Sequence, residues 1–142
     1  MKCKIKKLSP TAIIPKYQTS GSAAFDICSL ESVVIQPNDF LMLRTGIAVE
    51  IPKGYCLTVR QRSGLSKIYH NYLTIGVGTV DSDYRGEILV PIVNRNSKVW
   101  FINAGDRIVQ GIIQKVYQIH FKEVDELGET KRGANGFGST GK

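Results

Sequence analysis

Short β-forming segments separated by polar turn clusters are the feature that most constrains how this chain can fold. The β-forming segments cover residues 32–35, 55–59, 87–93 and 107–113. The turn clusters between them are Gln36-Pro37-Asn38-Asp39, Pro52-Lys53-Gly54, Asn94-Arg95-Asn96-Ser97 and Asn103-Ala104-Gly105-Asp106. This spacing is typical of an all-β sandwich or barrel, and it leaves room for only one short helix, predicted over residues 63–69. Pro91 interrupts a strong strand pattern, which predicts an edge strand or a bulge there.

Composition narrows the class of protein. A length of 142 residues, with 42% hydrophobic and 22% charged residues, predicts a single globular domain without a membrane span or signal peptide. The three cysteines, Cys3, Cys28 and Cys56, are far apart and form no Cys-x-x-Cys pair. They predict reduced thiols, no zinc site and a cytoplasmic, nuclear or host-cytosolic location. The net charge of +7 fits a nucleic acid, an anionic surface or a small polyanionic substrate, and charge alone does not choose among them. Apart from Lys2 to Lys7 the basic residues are scattered, which gives only weak support to nucleic-acid binding.

The densest group of reactive side chains lies in residues 78–87. The apolar runs 72–77 and 88–93 flank it, which predicts a strand, a tight polar turn and a second strand. Three acidic residues, a tyrosine and an arginine fall in this turn, although a structural hairpin needs only a short Gly or Asn turn. Acidic turn residues also cap their own backbone, so the turn by itself leaves a structural and a chemical interpretation open.

Residues 131–142 contain four glycines and one aromatic residue, Phe137. This composition predicts a flexible tail. Glycines beside Arg, Ser, Thr and Phe also supply open amides, a forked cation, hydroxyls and a stacking face for a phosphate-bearing ligand. The two interpretations differ only once a ligand is present.

Together, five segments resemble the five motifs of the homotrimeric dUTP diphosphatase (dUTPase) family. They are Ala23-Ala24-Phe25-Asp26-Ile27, Arg62-Ser63-Gly64-Leu65, residues 78–87, Gly105-Asp106-Arg107-Ile108-Val109-Gln110, and the glycine-rich tail. The resemblance implies a jelly-roll-like β-domain over residues 1–122, a flexible arm over residues 123–142, and a homotrimer with shared active sites. It also implies Mg²⁺-dependent hydrolysis of dUTP to dUMP and pyrophosphate, with the ion held by phosphates and waters and without a direct protein ligand.

The family's residue roles carry over by motif. Asp81 is expected to be the general base that activates water, and Ser63 to lie near the scissile bridge. The substrate-binding residues fall into four groups: Arg62, Gly64 and Gln110 for phosphate; the backbone of Ile75, Gly76 and Gly78 for uracil; Tyr84 for deoxyribose; and Arg132, Phe137, Gly138, Ser139 and Thr140 for closure over the nucleotide. Asp26, Asp83 and Asp106 are expected in structural or interface positions, although spacing alone does not rank Asp83 below Asp81 as the base.

The sequence departs from the family's motifs at two positions, and two alternative functions are to be weighed against dUTP hydrolysis. Gln61 replaces the usual proline before the Arg-Ser-Gly run, and Phe25 replaces the usual tyrosine or methionine of the first motif. A dCTP deaminase is similar in fold and in some phosphate motifs, but Asp81, Tyr84 and the complete tail favour the hydrolase. A non-catalytic nucleotide-binding module would have no need of Asp81.

Overall fold

The computed structural model describes residues 1–65, 73–76 and 78–136, and it confirms the all-β prediction. Eleven strands are formed. They are β1 (Lys4–Lys7), β2 (Phe25–Cys28), β3 (Val33–Ile35), β4 (Phe40–Arg44), β5 (Ile47–Glu50), β6 (Tyr55–Gln61), β7 (Leu73–Ile75), β8 (Gly78–Val80), β9 (Leu89–Asn94), β10 (Trp100–Ile102) and β11 (Arg107–Lys115). Among the described helices, none is long and apolar enough to cross a membrane.

The strands form a jelly-roll-like arrangement of antiparallel sheets. A four-stranded sheet has the order β2-β11-β6-β8 and a three-stranded sheet has the order β4-β9-β7, while β1 pairs with β5 and β10 with β3. Alternate side chains of these strands are buried in one core, because successive residues of a strand face opposite sides. The core includes Ile27, Leu57 and Val109 from the first sheet and Leu43, Val90 and Ile92 from the second.

The predicted turns are present, and three of them contain a residue with positive φ, one of which is Gly54 with a φ of 84°. Asn38 has a φ of 66° and Gly105 a φ of 88°, in the left-handed region that Asn and Gly tolerate best. Each of these last two turns is also closed by an aspartate: Asp39 Oδ2 accepts the Gln36 amide at 3.1 Å, and Asp106 Oδ2 accepts the Asn103 amide at 2.8 Å. Residues 63–65 are helical, and the rest of the predicted helix lies outside the described residues.

The predicted turn at residues 78–87 needs a correction. β7 and β9 do pair antiparallel, with Leu73 opposite Asn94, but residues 78–80 form a strand and not the start of the turn. This strand, β8, pairs with β6 in the other sheet, with Gly78 opposite Val59. The chain therefore crosses between two sheets after Ile75, and the tight turn is confined to residues 81–87.

The prediction of an edge strand or bulge at Pro91 is wrong. β9 lies between β4 and β7, and its pairing with both is in continuous register. Proline is tolerated because Pro91 lies opposite Met42 at a position whose backbone groups face away from β4. Its carbonyl instead accepts the Gly76 amide at 3.0 Å, at the end of β7.

Candidate functional site

Four residues predicted to act on the substrate line a single cavity. Gly76, Gly78, Asp81 and Tyr84 surround an open space of about 270 Å³, and Pro91 lines it as well. The cavity lies at the place where the chain passes from β7 in one sheet to β8 in the other. Backbone groups of glycines and two polar side chains therefore face the same ligand-sized space, which is the usual composition of a small-molecule site. Ile75 belongs to the strand that leads into it.

The turn that carries Asp81 is closed by its own backbone. The Tyr84 amide donates to the Asp81 carbonyl at 3.2 Å. The Arg85 guanidinium donates to the carbonyls of Ser82 at 2.7 Å and Tyr84 at 2.9 Å. Arg85 thus acts within the turn, while the Asp81 side chain is exposed directly after β8.

Glu87 anchors this turn to the rest of the fold, a role that the sequence did not reveal. Its Oε1 accepts the Gly46 amide at 2.7 Å and its Oε2 contacts Arg44 Nε at 3.2 Å. The Glu87 side chain is only 16% exposed, so these bonds are largely shielded from solvent. Next to it, Thr45 Oγ1 donates to the Ile88 carbonyl at 2.7 Å. The end of the turn is therefore fixed to the connection between β4 and β5.

The hydroxyl end of the Tyr84 side chain is held by two contacts. Its hydroxyl donates to the Glu87 carbonyl at 3.1 Å, and its ring covers Gly86 so closely that a Cβ there would overlap it. The residue nevertheless remains 45% exposed, which leaves a fixed aromatic face available to a ligand.

The two candidate carboxylates face different spaces. Asp81 lines the cavity with Gly76, Gly78 and Tyr84. Asp83 lines a separate one with Ser82, Arg85 and residues 50–54. Only Asp81 shares a cavity with the other residues of the predicted uracil and sugar site.

A second cluster joins three of the sequence motifs through Asp26. The Asp26 carboxylate is buried and contacts Arg62 Nε at 2.8 Å and Arg107 Nη1 at 3.2 Å. Arg62 Nη1 also donates to the Arg107 carbonyl at 2.9 Å. The Arg62 side chain is thus oriented by two partners, and neither Arg107 nor this use of Asp26 was predicted from the sequence. Asp26 and Arg107 are 81 residues apart in the chain, and no local pattern could have paired them.

The remaining phosphate-site candidates lie around this cluster. Gln110 pairs with Asp26 on one side and Arg60 on the other, and its Nε2 donates to the Gln61 carbonyl at 3.2 Å. Ser63 and Gly64 are exposed in the helical turn, and a Cβ at Gly64 would meet no atom within 4 Å. Gly64 therefore leaves open space beside its backbone. Asp106 caps its own turn, as described above.

Phe25 and Cys28 show how the strand carrying Asp26 is packed. Phe25 contacts Tyr17 edge to face at 5.5 Å and covers Gly111, so the unusual residue of the first motif is a packing residue. Burial, followed by the charge of Asp26, raises the pKa of the Cys28 thiol. That thiol stays protonated at neutral pH, as expected of a small apolar residue and not of a nucleophile.

Within one chain, the two clusters do not form one site. The cavity beside Arg62 and Arg107 shares no described lining residue with the cavity beside Asp81. Residues 116–136, which follow β11 and include the described part of the arm, line neither cavity and are all exposed. Arg132 donates from Nε to the Asn135 carbonyl at 2.8 Å. Phe137, Gly138, Ser139 and Thr140 lie outside the described residues.

A bound metal ion needs several ligands, which protein side chains, substrate or water can supply. Over residues 1–65, 73–76 and 78–136, no group of three or more His, Cys, Asp or Glu side chains is placed to hold an ion. The exposed carboxylate of Asp81 offers oxygen atoms, which Mg²⁺ prefers, and Mg²⁺ commonly keeps several of its waters. The Asp81 carboxylate is therefore chemically suited to bind Mg²⁺ or one of its waters.

Comparisons with known proteins agree with this geometry. The family model described as dUTPase matches residues 11–141. A deoxyuridine 5′-triphosphate nucleotidohydrolase of Helicobacter pylori is 49% identical over 141 residues, covering 99% of this chain and 97% of the relative. The protein of the same name from Nautilia profundicola is 48% identical and both chains are fully covered.

Solved structures are similar as well. A mutant of the Staphylococcus bacteriophage 80alpha dUTPase with dUpNHpp superposes with a TM-score of 0.92 at 28% identity, covering 99% of this chain and 98% of that one. A mutant dUTPase from phage phi11 of S. aureus, described with a structural Mg(II) ion, has a TM-score of 0.85 at 26% identity, covering 91% and 100%.

Proposed function

The chain belongs to the dUTPase family, and from this premise we propose that it hydrolyses dUTP to dUMP and pyrophosphate with Asp81 as the base. The observation that carries the assignment is the single cavity shared by Asp81, Tyr84, Gly76 and Gly78. A general base, a flat aromatic face and exposed backbone are together there, as selective hydrolysis of a nucleotide requires.

Asp81 is the residue that activates water in this proposal. A carboxylate next to a closed turn holds a water molecule in a fixed direction, and it accepts the proton as the oxygen attacks phosphorus. The turn supplies the rigidity through its internal hydrogen bonds and through Glu87. Asp83 faces another cavity, which favours Asp81 between the two.

Selection of base and sugar comes from the same cavity. The uracil edge alternates carbonyl and N–H groups, which the backbone of Ile75, Gly76 and Gly78 can match with donors and acceptors. A cytosine in that place leaves buried polar groups unpaired, and the thymine methyl needs room beside the backbone. Tyr84 packs under the deoxyribose and leaves no room for a ribose 2′-hydroxyl, because its ring is fixed against Gly86.

The triphosphate is assigned to the second cluster. Arg62 presents a guanidinium already oriented by Asp26, so less freedom is lost when it binds an anion. Ser63 lies near the scissile bridge, the exposed Gly64 offers its amide, and Gln110 adds an amide donor. Arg132, Phe137, Gly138, Ser139 and Thr140 would close over the nucleotide from the arm.

Mg²⁺ is the proposed cofactor, held by the substrate phosphates and by waters within reach of Asp81. When bound, it neutralises phosphate charge and fixes the conformation of the triphosphate. The contribution of this chain is to orient the attacking water and the phosphate oxygens through Asp81, Arg62 and Gln110.

A homotrimer is proposed because one chain does not complete the site. The phosphate cluster and the uracil cavity are separate in the described part of one chain, and a second subunit can bring one to the other. The segment between β11 and the arm carries exposed apolar side chains at alternating positions: Tyr117, Ile119 and Phe121 are 78%, 67% and 92% exposed. Such a strip is usually covered by a partner.

In the cell, this activity would keep dUTP low, prevent uracil incorporation into DNA and supply dUMP for dTMP synthesis. The expected location is cytoplasmic, where nucleotide pools are found.

Steady-state assays with dUTP, dTTP, dCTP and UTP plus Mg²⁺ test the proposal. We expect dUTP to have a kcat/KM at least about 10²-fold above that of the other three, because a wrong base leaves buried polar groups unpaired. Equal values for dUTP and dTTP would contradict it. Release of ammonia from dCTP would indicate the deaminase instead, and tight dUTP binding without turnover would indicate a binding module.

A further inference from the structure

The backbone carbonyl of Glu87 controls where the Tyr84 hydroxyl lies. The hydroxyl donates to this carbonyl at 3.1 Å, and both residues line the cavity that contains Asp81. Gly86 lies under the Tyr84 ring so closely that a Cβ there would overlap the hydroxyl. The direction of the Tyr84 side chain therefore depends on the backbone of the residue that follows Gly86.

The chain is held in place directly after Glu87 by contacts of Ile88. This residue is buried, its amide donates to the Ile47 carbonyl at 2.9 Å, and its carbonyl accepts the Thr45 hydroxyl at 2.7 Å. None of these contacts uses the Glu87 side chain. Loss of the Glu87 carboxylate would therefore leave Ile88 in place, and its effect would fall on residue 87 and on the turn before it.

The donor that the Glu87 carboxylate binds is itself fixed. Gly46 has a φ of 69°, and its carbonyl accepts the Leu8 amide at 2.8 Å. A Cβ at Gly46 would lie 2.8 Å from Leu30 Cδ1 and 2.9 Å from Ala12 Cβ, so neighbouring side chains enclose this glycine closely. The 2.7 Å bond from the Gly46 amide to Glu87 Oε1 thus ties residue 87 to a rigid point of the fold.

The second carboxylate oxygen of Glu87 also faces an N–H donor. Its Oε2 lies 3.2 Å from Arg44 Nε. An ionised carboxylate has two acceptor oxygens, whereas a glutamine amide has one acceptor and one donor group. An ionised acid at residue 87 therefore satisfies Gly46 and Arg44 together, and glutamine can satisfy only one of them.

We propose that Glu87 is a positioning residue for sugar selection, because its carboxylate fixes the carbonyl that orients Tyr84. This inference rests on the proposed function, since it takes Tyr84 to pack under the deoxyribose. With residue 87 held by Gly46 and Arg44, the Tyr84 ring cannot move aside for a ribose 2′-hydroxyl. When the carboxylate is lost, the carbonyl shifts and the ring gives way, so UTP is accepted more readily.

A double-mutant cycle of Glu87→Gln and Tyr84→Phe tests this inference in the full-length chain. Tyr84→Phe removes the hydroxyl and, with it, the bond through which Glu87 acts. We expect Glu87→Gln to lower the ratio of kcat/KM for dUTP to that for UTP by about threefold to tenfold, the range for one hydrogen bond. In the Tyr84→Phe background it should leave this ratio unchanged, whereas a general weakening of the fold would lower the ratio in both backgrounds.

Arg44→Met and Glu50→Gln complete the set of variants. Arg44→Met removes one of the two donors to the carboxylate and should lower the ratio by less than Glu87→Gln does. If thermal unfolding shows that Glu87→Gln does not fold, the cycle is run with Arg44→Met. Glu50→Gln is the matched control, because it removes a carboxylate from the ion pair with Lys4, outside the cavity of Asp81 and Tyr84. Additive effects in the cycle would overturn the inference, as would a wild-type ratio in both Glu87→Gln and Arg44→Met.

Affinities for dUpNHpp and its ribose counterpart, UpNHpp, separate this inference from the proposed function. If the wild-type chain hydrolyses dUTP and the cycle is additive, only the role of Glu87 is wrong. If it binds dUpNHpp more tightly than UpNHpp without hydrolysing dUTP, and the two substitutions are coupled in binding, the hydrolase assignment is wrong and the role of Glu87 stands. Equal binding of the two analogues by the wild-type chain would overturn both.

Discussion

Asp81 and Asp83 are two residues apart, yet they line different cavities. Asp81→Asn retains the shape and a polar group but cannot take a proton from water. We expect kcat to fall by about 10²-fold or more, with the affinity for dUpNHpp largely retained. Steady-state kinetics and calorimetric binding with the same protein separate the two effects.

Asp83→Asn is the matched control, because it makes the same chemical change in the same turn. It should change kcat by no more than about twofold, since Asp83 faces away from the cavity that holds Asp81. If Asp83→Asn proves the more damaging substitution, the base has been assigned to the wrong carboxylate.

Gly86 is the residue on which the position of Tyr84 depends. In Gly86→Ala, the new methyl group would overlap the ring and hydroxyl of Tyr84, and the ring must move. We expect the preference for dUTP over UTP to fall by about tenfold or more, because overpacking of this kind costs about 1–3 kcal/mol when it is not relieved. The measurement is the ratio of kcat/KM for the two nucleotides.

Gly21→Ala provides the comparison for this variant, because a Cβ at Gly21 meets no atom within 4 Å. Its nucleotide preference should match that of the wild type. An unchanged dUTP to UTP ratio in Gly86→Ala would show that Tyr84 does not set the sugar preference.

At the level of strands and turns, the sequence predicted the features that depend on residues close together in the chain. The turns at Asn38 and Gly105 were predicted because their residue types favour the required backbone angles. The separation of β7 from β8 was not predicted, because an apolar run shows that a strand is buried but not which sheet it joins. The position of Pro91 was misjudged for a related reason, since a sequence does not show which neighbour a backbone group faces.

The residues of the candidate site likewise divide into those that were predicted from nearby sequence and those that were missed. Asp81 and Tyr84 were identified because they lie within one turn that resembles a motif of the family, and the cavity places them together. Arg107 and Glu87 were missed because their partners, Asp26 and Gly46, are distant in sequence. Contacts between distant segments are fixed by the packing of sheets, which no local pattern records.

Asp26 connects β2, β11 and the residue that follows β6. In Asp26→Asn, two arginines lose the charge between them, and Arg62 loses a partner that orients it. We expect unfolding to become easier by about 1–3 kcal/mol, the range for a charged hydrogen bond in a site that is partly open to solvent. KM for dUTP should rise, and denaturant titration together with kinetics measures both effects.

Glu50→Gln is the control for Asp26→Asn, because it also removes one carboxylate from an ion pair. The bond from Lys4 lowers the pKa of Glu50, but both side chains are well exposed, so the loss of stability should be slight and KM unchanged. If Asp26→Asn behaves like Glu50→Gln, Asp26 does not organise the phosphate cluster.

At the scale of the whole molecule, we predict that trimer assembly and closure of the arm depend on different parts of the C-terminal segment. Two truncations distinguish these two contributions. Ending the chain after Glu129 removes Arg132 and the glycine-rich tail but keeps Tyr117, Ile119 and Phe121. We expect this protein to remain a trimer with an unchanged melting temperature and a very low kcat, because in the proposed function the tail closes over bound nucleotide and does not support the fold.

Ending the chain after Lys115, where β11 stops, also removes the three exposed apolar residues between β11 and the arm. If these residues are buried against a neighbouring subunit, their loss should weaken the trimer, since each buried side chain of this size contributes about 1.5–3 kcal/mol. Light scattering over a range of concentrations should then show dissociation for this truncation and not for the one after Glu129. A fully active monomer in either case would contradict the shared site, because the phosphate cluster and the uracil cavity would then have to function within one chain.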